Sequence, residues 1–173
     1  MSATITPTPT DVYTALVTFI QTVLGSTVPV VQGINNRTPM PVGGFVLLTA
    51  ISQSRLAWNY DSWGSVNPTV LSSEMDTVID VQIVCYGPSS AAWAATLVTL
   101  LRDSYACEQL QPNVQPLYAD DARMLPLIDA EQQYEQRWMI HGIFQYNPVV
   151  TVPQQFAEAL DATLYNVDEE FPA

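Results

Sequence analysis

Lysine is absent from this 173-residue chain, histidine occurs once, and charged residues make up only 13% of it. All five cations are arginines, set against 17 acids, so the formal net charge is -12. Proteins hold a phosphate backbone through Lys and Arg that displace its counterions. This balance therefore excludes ordinary nucleic-acid binding and disfavours an anionic membrane surface. Two cysteines, Cys85 and Cys107, offer neither metal-ligand spacing nor a disulfide framework, and both read as reduced thiols. No run approaches the roughly 18 apolar residues of a membrane-spanning helix. The opening MSATITPTPT has no basic segment, so it does not read as a signal peptide, and a cytosolic product is expected.

Catalytic signatures are equally scarce. His141, the single histidine, lies mid-strand between Ile140 and Gly142 and reads as an ordinary satisfied polar group. The nucleophile elbow, the phosphate-binding loop, the dinucleotide fingerprint and the His-Glu-x-x-His motif are all missing. Asp120 and Asp121 are adjacent, with Asp129 and Glu131 close behind, so a small metal-dependent enzyme is one alternative. The glycine-pivoted spacing of a calcium loop is absent there, and an acidic loop is more often simply solvated. The sequence accordingly implies no enzyme, no cofactor and no metal.

What is present is a chain 48% hydrophobic and long enough for one core. Low charge beside that apolar content is a composition of partly covered surfaces. In TPTDVYTALVTFIQTVLG, Thr8 caps, Pro9 takes the first helical position and Asp11 completes a capping box. Val12, Leu16, Phe19, Ile20, Val23 and Leu24 form one stripe, and Gly25 stops the helix. A short strand, VPVV, and a buried strand, FVLLTAISQSRL, follow. AWNYDSWGSVNPTV then reads as an irregular loop bearing Trp58, Tyr60 and Trp63. EMDTVIDVQIVCYG alternates as a half-buried strand, with Ile79, Val81, Ile83 and Cys85 inward. PSSAAWAATLVTLLRDSYACEQL reads as a second helix, capped by Ser89 or Ser90, with Trp93, Leu97, Leu100, Leu101 and Tyr105 in its stripe.

Alternation resumes from Tyr134 to Tyr146. Trp138, Ile140 and Phe144 share one face, and Arg137, Met139, His141 and Ile143 share the other. A face of that mixed composition suggests contact with a second surface. The order predicts an α+β fold: an antiparallel or mixed sheet of about four to five strands with two main helices on one face. Residues 1–8 are expected to be a flexible start and 9–160 the domain. Residues 161–173 read as an acidic tail that could supply an edge strand or an arm to a neighbouring subunit.

Three segments together, VPVVQGINNRTPMPVGGFVLLT with SRLAWNYDSW, PLYADDARMLPLIDAEQQYEQRW, and QYNPVVTVPQQFAEAL, resemble the tail terminator (neck) proteins of long-tailed bacteriophages and prophages. The likeness runs from about Val28 to Leu160. It implies a virion protein, made in the host cytoplasm, that assembles as a ring, usually a hexamer, on the last ring of the tail tube. Such a ring halts tube growth and meets the head-completion proteins, and in contractile tails the sheath, while genomic DNA passes through its channel without specific binding. On this reading Arg37, Arg55, Trp58, Asn59, Tyr60, Trp63, Asp120, Asp121, Arg123 and Arg137 are candidate contacts between subunits or with partners. A head-completion connector ring on the portal side and a non-viral acidic binding module remain as alternatives.

Overall fold

The first helix begins where its capping residues sit. In the computed structural model, which describes residues 2–34, 39–64, 70–110, 112, 114–128 and 134–154, helix α1 spans Pro9–Leu24. The Thr8 hydroxyl accepts the Asp11 N–H at 3.3 Å, and the Asp11 carboxylate accepts the Thr8 N–H at 2.7 Å. These bonds hold the Asp11 carboxyl below its ordinary range, chiefly through the Thr8 backbone N–H. Gly25, at φ +109°, ends the helix in a conformation that side chains with a Cβ rarely adopt. Val12, Leu16, Phe19 and Ile20 are buried along the expected stripe.

A six-stranded sheet lies under the helices, in the order β2 (Val30–Gln32), β3 (Phe45–Arg55), β6 (Thr77–Tyr86), β11 (Arg137–Tyr146), β7 (Gln115–Ala119), with β8 (Arg123–Met124) also on β11. Only the β2–β3 pairing is parallel. Alternation turns Val46 and Leu48 of β3, Ile79, Val81, Ile83 and Cys85 of β6 and Ile140 and Phe144 of β11 into one core with the helices. The helices thus cover one face, as the sequence predicts. Cys85 lies in this core, and burial pushes its thiol up to about 12. A disulfide-forming reagent is therefore expected to label Cys107 quickly and Cys85 only at the rate of unfolding; two equally fast thiols would contradict this burial.

Three features depart from the sequence reading. The second helical segment is two helices, α2 (Ser90–Leu101) and α3 (Ser104–Leu110), so Tyr105 does not continue the α2 stripe. Asp103 accepts the Tyr105 N–H at 3.2 Å and the Ser104 hydroxyl at 3.0 Å, local bonds that start a new helix in place of extending the old one. These bonds, the Tyr105 N–H foremost, also lower the Asp103 pKa. At the head of α2, Ser89 makes no side-chain cap, while the buried Ser90 hydroxyl donates to the Gln136 carbonyl at 3.4 Å.

The third departure is in the aromatic segment. Tyr60–Trp63, expected to be irregular, forms strand β4 and pairs antiparallel with β5 (Val70–Glu74). The pattern hid it because neither strand buries a face, so apolar and polar residues need not alternate. With β1 (Thr4–Thr6) and β12 (Val149–Pro153) these strands make a second sheet in the order β1-β12-β5-β4. The N-terminal segment thus contributes a paired strand. A two-stranded ribbon, β9 (Leu127–Ile128) with β10 (Tyr134–Glu135), completes the fold.

Candidate interaction surfaces

Strand β3 changes character at a bulge. Its register on β6 slips between Ala50 and Ser52, leaving Ile51 unopposed and 52% exposed. The Ala50 N–H turns instead to the hydroxyl of Tyr13 on α1 at 2.8 Å. Beyond the bulge every β3 residue is exposed, and the chain continues into Leu56, Trp58 and Tyr60, 55%, 95% and 68% exposed. Arg55, Leu56, Ala57 and Trp58 line an open groove of about 270 Å³. Arg55 lies exposed at the end of β3 opposite Thr77, and Asn59 and Trp63 are also exposed. Five large apolar residues, Ile51, Leu56, Trp58, Tyr60 and Trp63, therefore lie exposed along the end of β3, the connection after it and β4. Soluble surfaces rarely gather so many bulky apolar groups along one stretch unless something covers them.

The acidic motif lies across the main sheet from this group. β3 and β7 are separated by β6 and β11, about 14 Å at ordinary strand spacing. Asp120 follows β7, and its N–H donates to the His141 carbonyl at 2.8 Å. Asp121 makes an ion pair with Arg102 at 2.9 Å, its own side chain 84% exposed. Arg102 is a residue that sequence reasoning missed. Its Nε donates to the Ala119 carbonyl at 2.8 Å and its guanidinium sits 5.8 Å from the Tyr118 ring centre, so it fastens the end of α2 to β7. The ion pair itself is worth at most about 1 kcal/mol at this exposure. Arg123 is exposed on β8 opposite Met139, beside Met124 at 51% exposure. No group of three or more His, Cys, Asp or Glu able to hold a metal occurs among the described residues.

The face of the main sheet away from the helices forms ordered rows. Phe45, Tyr86 and Arg137 make one, Leu47, Val84 and Met139 the next, and Thr49, Gln82 and His141 a third. Phe45 and Tyr86 stack at 4.5 Å, and the Arg137 guanidinium lies 5.9 Å from the Tyr86 ring centre. Arg137 Nε is buried and has no hydrogen-bond partner among the described residues. His141 Nδ1 lies 3.3 Å from the Asp80 carboxylate, both side chains about one-third exposed. The sequence put His141 on a strand face of mixed composition, and only the pairing of β11 with β6 brings it to Asp80. The structure thus places Arg55, Trp58, Asn59, Tyr60 and Trp63 at one end, Asp120, Asp121 and Arg123 along the opposite edge, and Arg137 on the sheet face away from the helices, beside the buried Phe45, Val84 and Tyr86. Arg37 lies outside the described residues.

This helix-backed sheet with a second, half-exposed sheet is a fold shared with a solved terminator structure. It matches the cryo-EM structure of the sheath/tube terminator of an extracellular contractile injection system (PVC) in its extended state, with a TM-score of 0.50 at 9% identity. The match covers 94% of this chain and 65% of that one, so the chain spans about two-thirds of its neighbour's length. No curated protein matches the chain. A family model described as "Phage neck terminator protein" matches residues 10–169, and the chain belongs to that family. That family is the one the three sequence segments resemble.

Proposed function

We propose that this chain closes into a ring, of six copies, on the end of the tail tube, where it stops tube polymerisation and joins the tail to the head-completion proteins. The observation that supports this reading best is the exposed apolar group at the end of β3 and on β4. Trp and Tyr at such density are what the centres of protein interfaces favour, and charged residues are scarce there. Asp120, Asp121, Arg123 and Arg137 supply polar contacts to neighbouring copies or to the tube, Arg137 through the two-point geometry with which arginine holds a carboxylate. The net charge of -12 per copy, multiplied around a ring, would keep passing DNA from sticking to the channel.

The test is growth of the cognate tube protein with and without this chain. Tubes that stop at a shorter mean length, in proportion to the added chain, are the expected result. Tubes of unchanged length at saturating chain would contradict the reading.

A further inference from the structure

The four-stranded sheet has a property that a finished subunit rarely shows: none of its strand residues is buried. β1 is exposed throughout, β4 is exposed apart from a half-buried Ser62, and β5 and β12 are half-buried along their whole length. A sheet this small gains stability by covering a face or by adding strands. Both of its outer strands, β1 and β4, also lack a further strand among the described residues. Open edges are templates for pairing, and proteins usually blunt them with lysine, proline or a bulge. This chain has no lysine, β1 carries no charge and β4 only Asp61, neither strand contains proline, and the pairing within the sheet runs in continuous register.

We propose that this sheet joins edge to edge between copies of the chain, β4 of one copy pairing antiparallel with β1 of the next. The inference rests on the ring reading above and names the surface that closes the ring. Strand direction supports it. Every neighbour in the sheet is antiparallel and the strands number four, so β1 and β4 run in opposite directions. When a copy is repeated sideways by rotation about an axis along the strands, β4 meets the next β1 antiparallel, and the alternation continues without a break. An odd number of strands would force a parallel junction.

The phase of the backbone bonds points the same way. The Gly64 N–H donates to the Val70 carbonyl at 3.2 Å, and the Met75 N–H donates to the Pro148 carbonyl at 3.1 Å. Ladder bonds alternate along an antiparallel pair. Counting from these two, Tyr60 and Ser62 bond inward to β5 while Val149 and Thr151 bond to β1. Asp61 on β4 and Ile5 on β1 are left with backbone N–H and C=O groups directed out of the sheet. The two edges differ, so the contact is head to tail, the kind that closes into a ring and not a two-fold dimer.

The test uses the full chain with Cys107→Ser, Cys85 being buried, and adds Ile5→Cys and Asp61→Cys together or singly. Assembled rings are treated with a bis-maleimide too short to span the roughly 14 Å that separates the two edges of one sheet. The double variant is expected to give a ladder of covalent species rising to the ring number, and each single variant is expected to stay at monomer mass. Rings without a ladder overturn the edge pairing while leaving the ring reading intact. Dimers from either single variant overturn the head-to-tail order. A chain that forms no ring, alone or on tube ends, overturns the ring reading and this pairing with it. Asp61→Pro is an independent check, because proline removes an N–H that the ladder directs away from β5. Unchanged melting with assembly weakened at least tenfold is expected, and assembly at the parental strength overturns the proposal.

Discussion

Serine at both Leu56 and Trp58 is expected to abolish tube capping while leaving the subunit folded. Both side chains project into solvent, at 55% and 95% exposure, so the free chain loses almost no packing. Surface substitutions of this kind change folding stability by about 0.5 kcal/mol or less. Buried aromatic anchors at interfaces cost about 2 kcal/mol or more each when truncated. Tube-end affinity should therefore fall by at least about 100-fold, since 1.4 kcal/mol is a factor of ten. The check is titration of tube ends with labelled chain, beside a thermal melt of the free chain. Wild-type affinity in the double variant would remove this end of β3 from the contact surface, and a collapsed melt would mean that these residues pack within the subunit.

Phe144→Ala should have the largest effect on the fold. Phe144 is 1% exposed, among the largest fully buried side chains, and belongs to the core shared by the sheet and the helices. Truncation of such a ring costs about 3–5 kcal/mol through lost transfer energy and the cavity left behind. For a chain of this size that lowers the melting temperature by on the order of 10 °C. Gly142 is coupled to the same ring: a Cβ built there would sit 2.7 Å and 2.8 Å from two Phe144 ring carbons. Gly142→Ala should consequently be destabilising alone and much less so beside Phe144→Leu, a non-additivity that a double-mutant cycle measures. Simple additivity would mean that the ring has room to move aside.

Where burial sets the pattern, the sequence was legible. The capping box of Thr8 and Asp11, the stripe from Val12 to Ile20 and the inward row Ile79, Val81, Ile83 and Cys85 all appear as read, because each answers to a face in contact with one core. The second sheet was not legible, since strands with no buried face leave no alternation to find, and Tyr60–Trp63 looked like a loop for that reason. The break between α2 and α3 turned on two short bonds to Asp103, which a continuous apolar stripe concealed. Residues of the candidate surfaces were visible by type: Trp58 and Tyr60 as aromatics among turn formers, Asp120 and Asp121 as paired acids. Their separation onto opposite edges was not, and neither was the part of Arg102, because both depend on strand order and register.

The central claim is that this member of the phage neck terminator protein family caps the tail tube as a closed ring. Electron microscopy of purified cognate tubes mixed with the gold-labelled chain tests it most directly. The account predicts one ring at one end of each tube and bare tube walls. Bare ends at saturating chain, or label scattered along the walls, would contradict it.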